Sequence, residues 1–265
     1  MTDTTPSRPT PGDALRFAFG TLTALPVRLT RWDRAAARGG MLAAPLAGLV
    51  VGGCAAAAGS ALLLLGAGPV LAAVASVAAG AVLTRALHLD GLADVADGLG
   101  SAKPAEDALR IMKRSDIGPF GVVTLLLVLL GQVAALAGAY ADDTARGAAA
   151  AVVAALAARC SLTLASRAGV PPARPEGLGA AVAGVLSAWS ALLVAALATA
   201  VAAALGAATG PYGAVRAALA VPLALAAGEL LLRHCVRRFG GVTGDVFGAL
   251  AETSATTALV VLALG

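Results

Sequence analysis

The chain has 265 residues, 59% of them hydrophobic and only 13% charged, with a mean hydropathy of +0.87 and a formal net charge of +4. That composition excludes a water-soluble globular domain, and apolar runs that are continuous rather than alternating exclude a membrane β-barrel. The fold class expected is all-α: a polytopic integral membrane bundle of about seven transmembrane helices, because the bilayer accepts such runs only as helices. The abundant Ala and Gly suit membrane helices that pack closely.

Residues 1–13, rich in Thr, Pro and Asp, are expected to be disordered, ahead of a single integral membrane domain over 14–265. No signal peptide is expected, since no basic stretch leads into a short apolar core. Residues 14–27 are apolar but too short to span, and Pro26 ends them, so an interfacial or re-entrant helix is expected. Seven spans follow, at roughly 41–66, 70–89, 118–140, 147–166, 180–206, 211–232 and 246–265. An even number with both termini inside remains an alternative, because the last segment carries Glu252 and several Thr residues.

Charge placement orients these spans. With the N-terminus inside, cytoplasmic segments hold fifteen of the nineteen Lys and Arg residues: six before residue 41, four in 90–117, two in 167–179 and three in 233–245. Outside loops hold Arg146 and Arg216, while Arg85 and Arg159 fall within spans. Tyr140 and Tyr212 land at outer interfaces, as an aromatic belt would place them. Cys54, Cys160 and Cys235 are scattered and are expected to be packing residues. No fixed-period repeat is present.

Between the second and third spans, residues 84–122 hold six of the fifteen acidic residues: Asp90, Asp94, Asp97, Glu106, Asp107 and Asp116. Asp90, Asp94 and Asp97 stand at i, i+4 and i+7, so on a helix they share one face within roughly 60°. Three aligned carboxylates repel one another unless a hard cation sits among them, and Mg²⁺ takes carboxylates together with substrate phosphate oxygens. Gly91 and Gly98 border the cluster and leave backbone room for a bulky ligand. Downstream, Lys103, Arg110, Lys113 and Arg114 suit a polyanion, which is the pairing that phosphoryl transfer requires. Residues 104–115 read as a short amphipathic helix, with Leu109 and Met112 toward the bilayer or the bundle.

HLDGLADVADGLG (88–100) followed by RIMKRSDIGPFGV (110–122) resembles the signature of the cobalamin (5′-phosphate) synthase family, also called adenosylcobinamide-GDP ribazoletransferases. FGTLTALPVR (19–28), GGMLAAPLAGLVVG (39–52) and GGVTGDVFGAL (240–250) resemble that family's other segments in the same order, so the resemblance covers nearly the whole chain. Arg114 departs from the acidic residue expected there. The resemblance implies that 14–265 is one catalytic domain, a transferase of cobalamin (vitamin B12) biosynthesis. It would join adenosylcobinamide-GDP to α-ribazole or its 5′-phosphate, give adenosylcobalamin or its phosphate and GMP, and require Mg²⁺. It further implies a bacterial cytoplasmic (inner) membrane location, with the site on the cytoplasmic face. Lipid surrounds such a protein, no nucleic-acid partner is expected, and homo-oligomer assembly is left open.

The residues carried into that expectation are Asp90, Asp94, Asp97 and Asp116 as catalytic, with Asp90, Asp94 and Asp97 as the metal ligands. Lys113 and Arg110 are expected on substrate phosphate. Gly244 and Asp245, in a glycine-rich loop at the mouth of the last span, join them as substrate contacts. His88 is carried as a substrate contact too, although a helix points it away from the aspartate face, where an interfacial hydrogen-bonded histidine would sit. His234 is expected in a basic anchor. Arg159, Arg167 and Arg174 are expected either to hold phosphate or to follow the charge rule, and Glu229 and Glu252 lie inside spans.

Two other functions compete. The segment from Asp94 to Gly98 resembles the opening of the CDP-alcohol phosphotransferase motif, yet the Ala-Arg that should follow and the second Asp pair are missing. A cation transporter with aspartates along its path would hold them at mid-bilayer, whereas these acids cluster at a membrane surface.

Overall fold

The computed structural model describes residues 10–114 and 116–264. Among the described residues the chain folds into eleven helices and no β-strand. Six helices are long and apolar enough to cross a membrane: α2 (Arg34–Leu64), α6 (Pro119–Asp142), α7 (Thr144–Ala165), α9 (Ala188–Ala207), α10 (Pro211–Phe239) and α11 (Gly244–Ala263). A bent pair, α3 (Pro69–Leu83) and α4 (Leu87–Gly100), passes that test only when taken together, and brings the number of crossings to seven if the pair counts as one broken span. Three short helices complete the fold, α1 (Pro11–Leu22), α5 (Ala105–Ile111) and α8 (Gly177–Val182). The protein is a polytopic membrane bundle.

The middle of the bundle is α7, buried nearly all round. Its alanines offer almost no side-chain relief, so neighbours approach to backbone distance. On α2, a Cβ at Gly48 would lie 2.6 Å from the Ala155 carbonyl oxygen, and one at Gly52 would lie 2.8 Å from the Val152 Cα. Small residues at such crossings let dispersion and weak polar contacts replace the hydrophobic effect, which does not act between helices in lipid.

Several sequence expectations change here. The disorder expected over 1–13 lies outside the described residues up to residue 9, and Thr10 caps α1 through a reciprocal bond pair with Asp13. The 70–89 span breaks at 84–86. The span expected over 180–206 starts at Ala188, because α8 is a separate turn of helix. Tyr140 is not at an aromatic belt: it is 3% exposed inside the bundle and hydrogen-bonds Ser76 at 2.9 Å, while Tyr212 is exposed as expected. Cys160 and Cys235 are buried and unpaired, as packing residues would be, whereas Cys54 is exposed.

Candidate active site

The break between α3 and α4 aims the acids. Arg85 and Ala86 both adopt left-handed backbone, with φ of 53° and 54°, a conformation costing a residue with a Cβ about 1–2 kcal/mol. Hydrogen bonds from Ala86 N–H to the Ala81 carbonyl (2.7 Å) and from Ala24 N–H to the Leu83 carbonyl (2.6 Å) hold the turn. The chain leaves it bent by 88°, so α4 lies across the end of the bundle rather than along it.

There α4 meets the start of α11 backbone to backbone. A Cβ at Gly91 would lie 2.6 Å from the Asp245 carbonyl oxygen, and one at Gly248 would lie 3.0 Å from that of His88. The room read into Gly91 and Gly98 for a ligand is taken by protein instead, since Gly98 faces Met112 and Phe239. This crossing brings Asp245 beside Asp90 and Asp94. Thr243 caps α11 and donates to Asp245 at 3.1 Å.

The three aspartates of α4 divide in their roles. Asp97 is buried and accepts hydrogen bonds from Gly118 N–H (2.7 Å) and Gly121 N–H (2.9 Å). Gly118 is the N-cap of α6 and has no side chain to cap it, so Asp97 supplies the missing acceptor and the negative charge that a helix N-terminus favours. Each Asp97 oxygen thus accepts an α6 amide, and among the described residues no three acids, histidines or cysteines stand in metal-binding geometry. Asp90 and Asp94 stay on the open face.

Asp94 is half-buried. Burial, and after it the carboxylates of Asp245, Asp90 and Asp97, push its carboxyl up to about 7, with Arg174 pulling the other way. Carboxylates crowded to this degree are a fit place for a hard cation, and Mg²⁺ needs only one or two protein carboxylates when substrate phosphates and water complete its shell.

Two cavities meet at Asp90. One, of about 470 Å³, is lined by the acids Asp90, Asp94 and Asp116 together with the cations Lys113 and Arg114. The other, of about 220 Å³, is mostly apolar, with Leu22, Met41, Leu162 and Phe247 around Asp90, Asp245, Gly244 and His88. His88 is thus no interfacial hydrogen-bonded residue: it is buried, and its Nδ1 has no partner among the described residues.

Not every expected residue reaches these cavities. Arg110 lines neither, and it is tied to Glu106 (2.7 Å) and Asp107 (3.0 Å) on the exposed side of α5. Lys113 faces the polar cavity while making a long contact, 3.4 Å, to Glu176. Met112 is buried against Gly98, which anchors α5 to α4.

Arg174 was left undecided by the sequence and belongs to the site. Backbone bonds from Ala173 N–H to the Val242 carbonyl and from Val242 N–H to the Pro171 carbonyl, both 2.9 Å, pin its loop to the start of α11. Its guanidinium then lies 3.9 Å from the Asp245 carboxylate. The two loops hold Pro and Gly at the contact, but no sequence spacing reveals that they pair. Arg159 is a further buried cation on α7, with Nε and Nη2 unpartnered among the described residues. It shares a cavity of about 80 Å³ with Glu252 and Gln132, roomy enough for water.

Fold and site together define a membrane-embedded enzyme-like bundle in which crowded carboxylates and cations line one cavity. The chain matches the cobalamin-5-phosphate synthase family over residues 14–263, and it belongs to that family. Relatives named adenosylcobinamide-GDP ribazoletransferase include one from Frankia casuarinae, 43% identical with 94% of each chain covered. One from Nocardioides sp. is 38% identical over 94% of this chain and 97% of its own. One from Bradyrhizobium diazoefficiens is 39% identical over 94% of this chain and 92% of its own. No solved structure matches the chain significantly.

Proposed function

We propose that this chain carries out the reaction its relatives are named for, joining adenosylcobinamide-GDP to α-ribazole or its 5′-phosphate with release of GMP. The observation that carries the reading is the junction at Asp90 of an acid-and-base-lined cavity with an apolar one. The first suits a pyrophosphate. The second suits the aromatic base and ribose of the acceptor, which need an apolar slot with a few polar groups at its mouth.

In this reading Asp90 and Asp94 would hold Mg²⁺, with Asp116 beside them. A bound Mg²⁺ supplies charge neutralisation for the pyrophosphate and the departing phosphate. Lys113 and Arg114, in the same cavity, grip phosphate oxygens. Asp245, held by Thr243 and balanced by Arg174, accepts the proton of the ribose hydroxyl as that oxygen bonds to the phosphorus attached to cobinamide. The bond from that phosphorus to the GMP oxygen breaks, and GMP leaves with the pair. Asp97 acts at a distance by fixing α6 and the segment before it.

Protein purified into nanodiscs is expected to release GMP from adenosylcobinamide-GDP only with both α-ribazole and Mg²⁺ present. GMP release that ignores α-ribazole sinks the reading, and so does its absence in protein shown to be folded.

The site end is assigned to the cytoplasmic face of the bacterial inner membrane, because fifteen basic residues lie on that side of the spans and guanosine nucleotides are cytoplasmic. In a chain cleared of native cysteines, Ser101→Cys is expected to react with an impermeant thiol reagent only once the inner face is opened. Thr144→Cys is expected to react in intact cells. Labelling of position 101 from outside would reverse the assignment.

A further inference from the structure

A groove of about 570 Å³ runs along the bundle between α9 and α10 and shares no lining residue with the cavities at Asp90. Its walls are apolar: Leu192 and Ala196 on α9, Pro222 and Leu225 on α10. Pro222 sits inside α10, where the missing N–H and the ring loosen the helix against its neighbour. One end of the groove, at the level where α7 stops and α9 starts, carries Arg167, Glu229 and Arg233. Both arginines bond the same Glu229 oxygen, Arg167 through Nη2 and Arg233 through Nε, each at 2.8 Å.

Two guanidiniums on one carboxylate leave one positive charge uncompensated. Arg233 is 65% exposed, and the only bond described for it uses Nε, so its terminal nitrogens are turned outward. Trp189, 83% exposed one residue into α9, marks the same level as a membrane interface. From Arg233 the groove follows α10 back to Pro222, eleven residues and about 16 Å along the axis. A site with cations at headgroup depth and an apolar slot running into the hydrocarbon fits a molecule with an anionic head and an acyl chain.

We propose that this groove binds an anionic phospholipid of the adjoining leaflet, with the phosphate on Arg233 and Arg167 and one acyl chain along Leu192 and Leu225. Guanidinium is suited to this role because its planar fork meets two phosphate oxygens at once and sheds water readily. Glu229 has a double part: it holds the arginines in place and lowers their net charge, so it weakens the attraction it organises. The assignment is independent of the reaction at the other site.

The test is native mass spectrometry of the full chain released from vesicles of equimolar phosphatidylglycerol and phosphatidylcholine. Phosphatidylglycerol is expected to be retained over phosphatidylcholine by about fivefold for each arginine that contributes. Arg233→Gln is expected to remove most of that preference and Arg233→Lys to keep part of it. Glu229→Gln is expected to strengthen the preference, the opposite of what loss of a structural ion pair would do. Since Arg233 is largely exposed, its substitution leaves the bundle intact even if Arg167→Gln does not fold. Equal retention of the two lipids by the unaltered protein overturns the proposal, as does an unchanged preference in Arg233→Gln. Displacement of phosphatidylglycerol by millimolar inorganic phosphate would also overturn it, in favour of a free-anion site.

Discussion

The two ends of the bundle are built from different materials. Away from the site the core is mostly alanine, Ala55, Ala72, Ala150, Ala154, Ala202 and Ala220 among them, in one cluster with Leu136, Leu156 and Tyr140, whose hydroxyl hydrogen-bonds Ser76. Around the site alanines are joined by large side chains, Phe17, Met41, Met112, Leu162, Phe239 and Phe247. The helices differ in step. Those of the far end run unbroken, α10 with Pro222 inside it, while at the site end α3 breaks into α4 and the short helices α1, α5 and α8 are added. Straight membrane helices are held by close approach, for which small residues suffice. A concave site needs broken helices, and broken helices leave irregular volumes that only large, flexible side chains fill to protein density.

The largest expected effects fall on the open acids. Asp94→Asn and Asp90→Asn should each lower GMP release by about 10²–10³-fold or more, with a melting temperature close to that of the parent, since each removes a charge aimed at the substrate rather than a packing contact. Asp97→Asn should lose activity too, for a different reason: one of two acceptors for the α6 amides is gone. Its signature is a lowered melting temperature with an unchanged Mg²⁺ requirement. If instead Asp97→Asn shifts the Mg²⁺ requirement at constant stability, Asp97 is a ligand, and the division of roles on α4 is wrong.

A matched pair of glycine substitutions sharpens the contrast between the ends. A Cβ at Gly147 would collide with the Tyr140 ring in the far end, and one at Gly91 would lie 2.6 Å from the Asp245 carbonyl oxygen. Overpacking of this kind costs about 1–3 kcal/mol at either place. Gly147→Ala should therefore lose stability while each folded molecule keeps its turnover. Gly91→Ala should lose stability and at least tenfold in turnover, because separating α4 from α11 pulls Asp245 away from Asp90. Equal turnover losses in the two variants would mean that the far end is not a passive support.

Much of this was readable in advance, for physical reasons that also mark where reading stopped. The spans follow from the bilayer's demand for satisfied backbone, which makes long apolar runs helical wherever they occur; six of the seven expected crossings have a helix long and apolar enough to span, and the expected 70–89 crossing is the bent α3–α4 pair. The acidic stretch stood out because carboxylates are rare here, and Asp90, Asp94, Asp116 and Lys113 do line one cavity. Helical spacing put Asp97 on the same face, correctly as geometry, but spacing is blind to the free N–H groups that α6 presents across 21 residues of sequence. The break at Arg85 and Ala86 carries no glycine or proline to announce it. Arg174 depends on a loop-to-loop pairing with no local signature.

Acidity offers a smaller and more graded test. Asp94, with its carboxyl pushed up to about 7 by burial and the neighbouring acids, is neutral below that pH and charged above it. Protons and Mg²⁺ compete for the charged form, so the apparent Mg²⁺ affinity should fall as pH drops below about 7, by up to tenfold per unit. Titration of activity against Mg²⁺ at pH values on either side of 7 measures this. Excess Mg²⁺ should restore turnover at the lower pH, since metal binding drives the proton off. An affinity flat across that window would show that Asp94 does not share its place with the metal.

The smallest expected effect separates two cations of one segment. Lys113 faces the polar cavity and has one long contact to an exposed Glu176, so most of its charge is available to a phosphate. Arg110 already bonds Glu106 and Asp107 on the exposed face of α5. Exposed pairs of that kind contribute little to stability, because solvent screens them and ordering the side chains offsets the attraction. Lys113→Ala should raise the KM for adenosylcobinamide-GDP several-fold, in line with one lost charge-assisted bond, whereas Arg110→Ala should change KM and kcat by less than about twofold. The comparison is informative because both residues carry the same charge on the same side of the membrane and lie within one turn of chain. A general electrostatic attraction of the substrate would weaken equally with either substitution, and only a placed contact makes position 113 matter more than position 110.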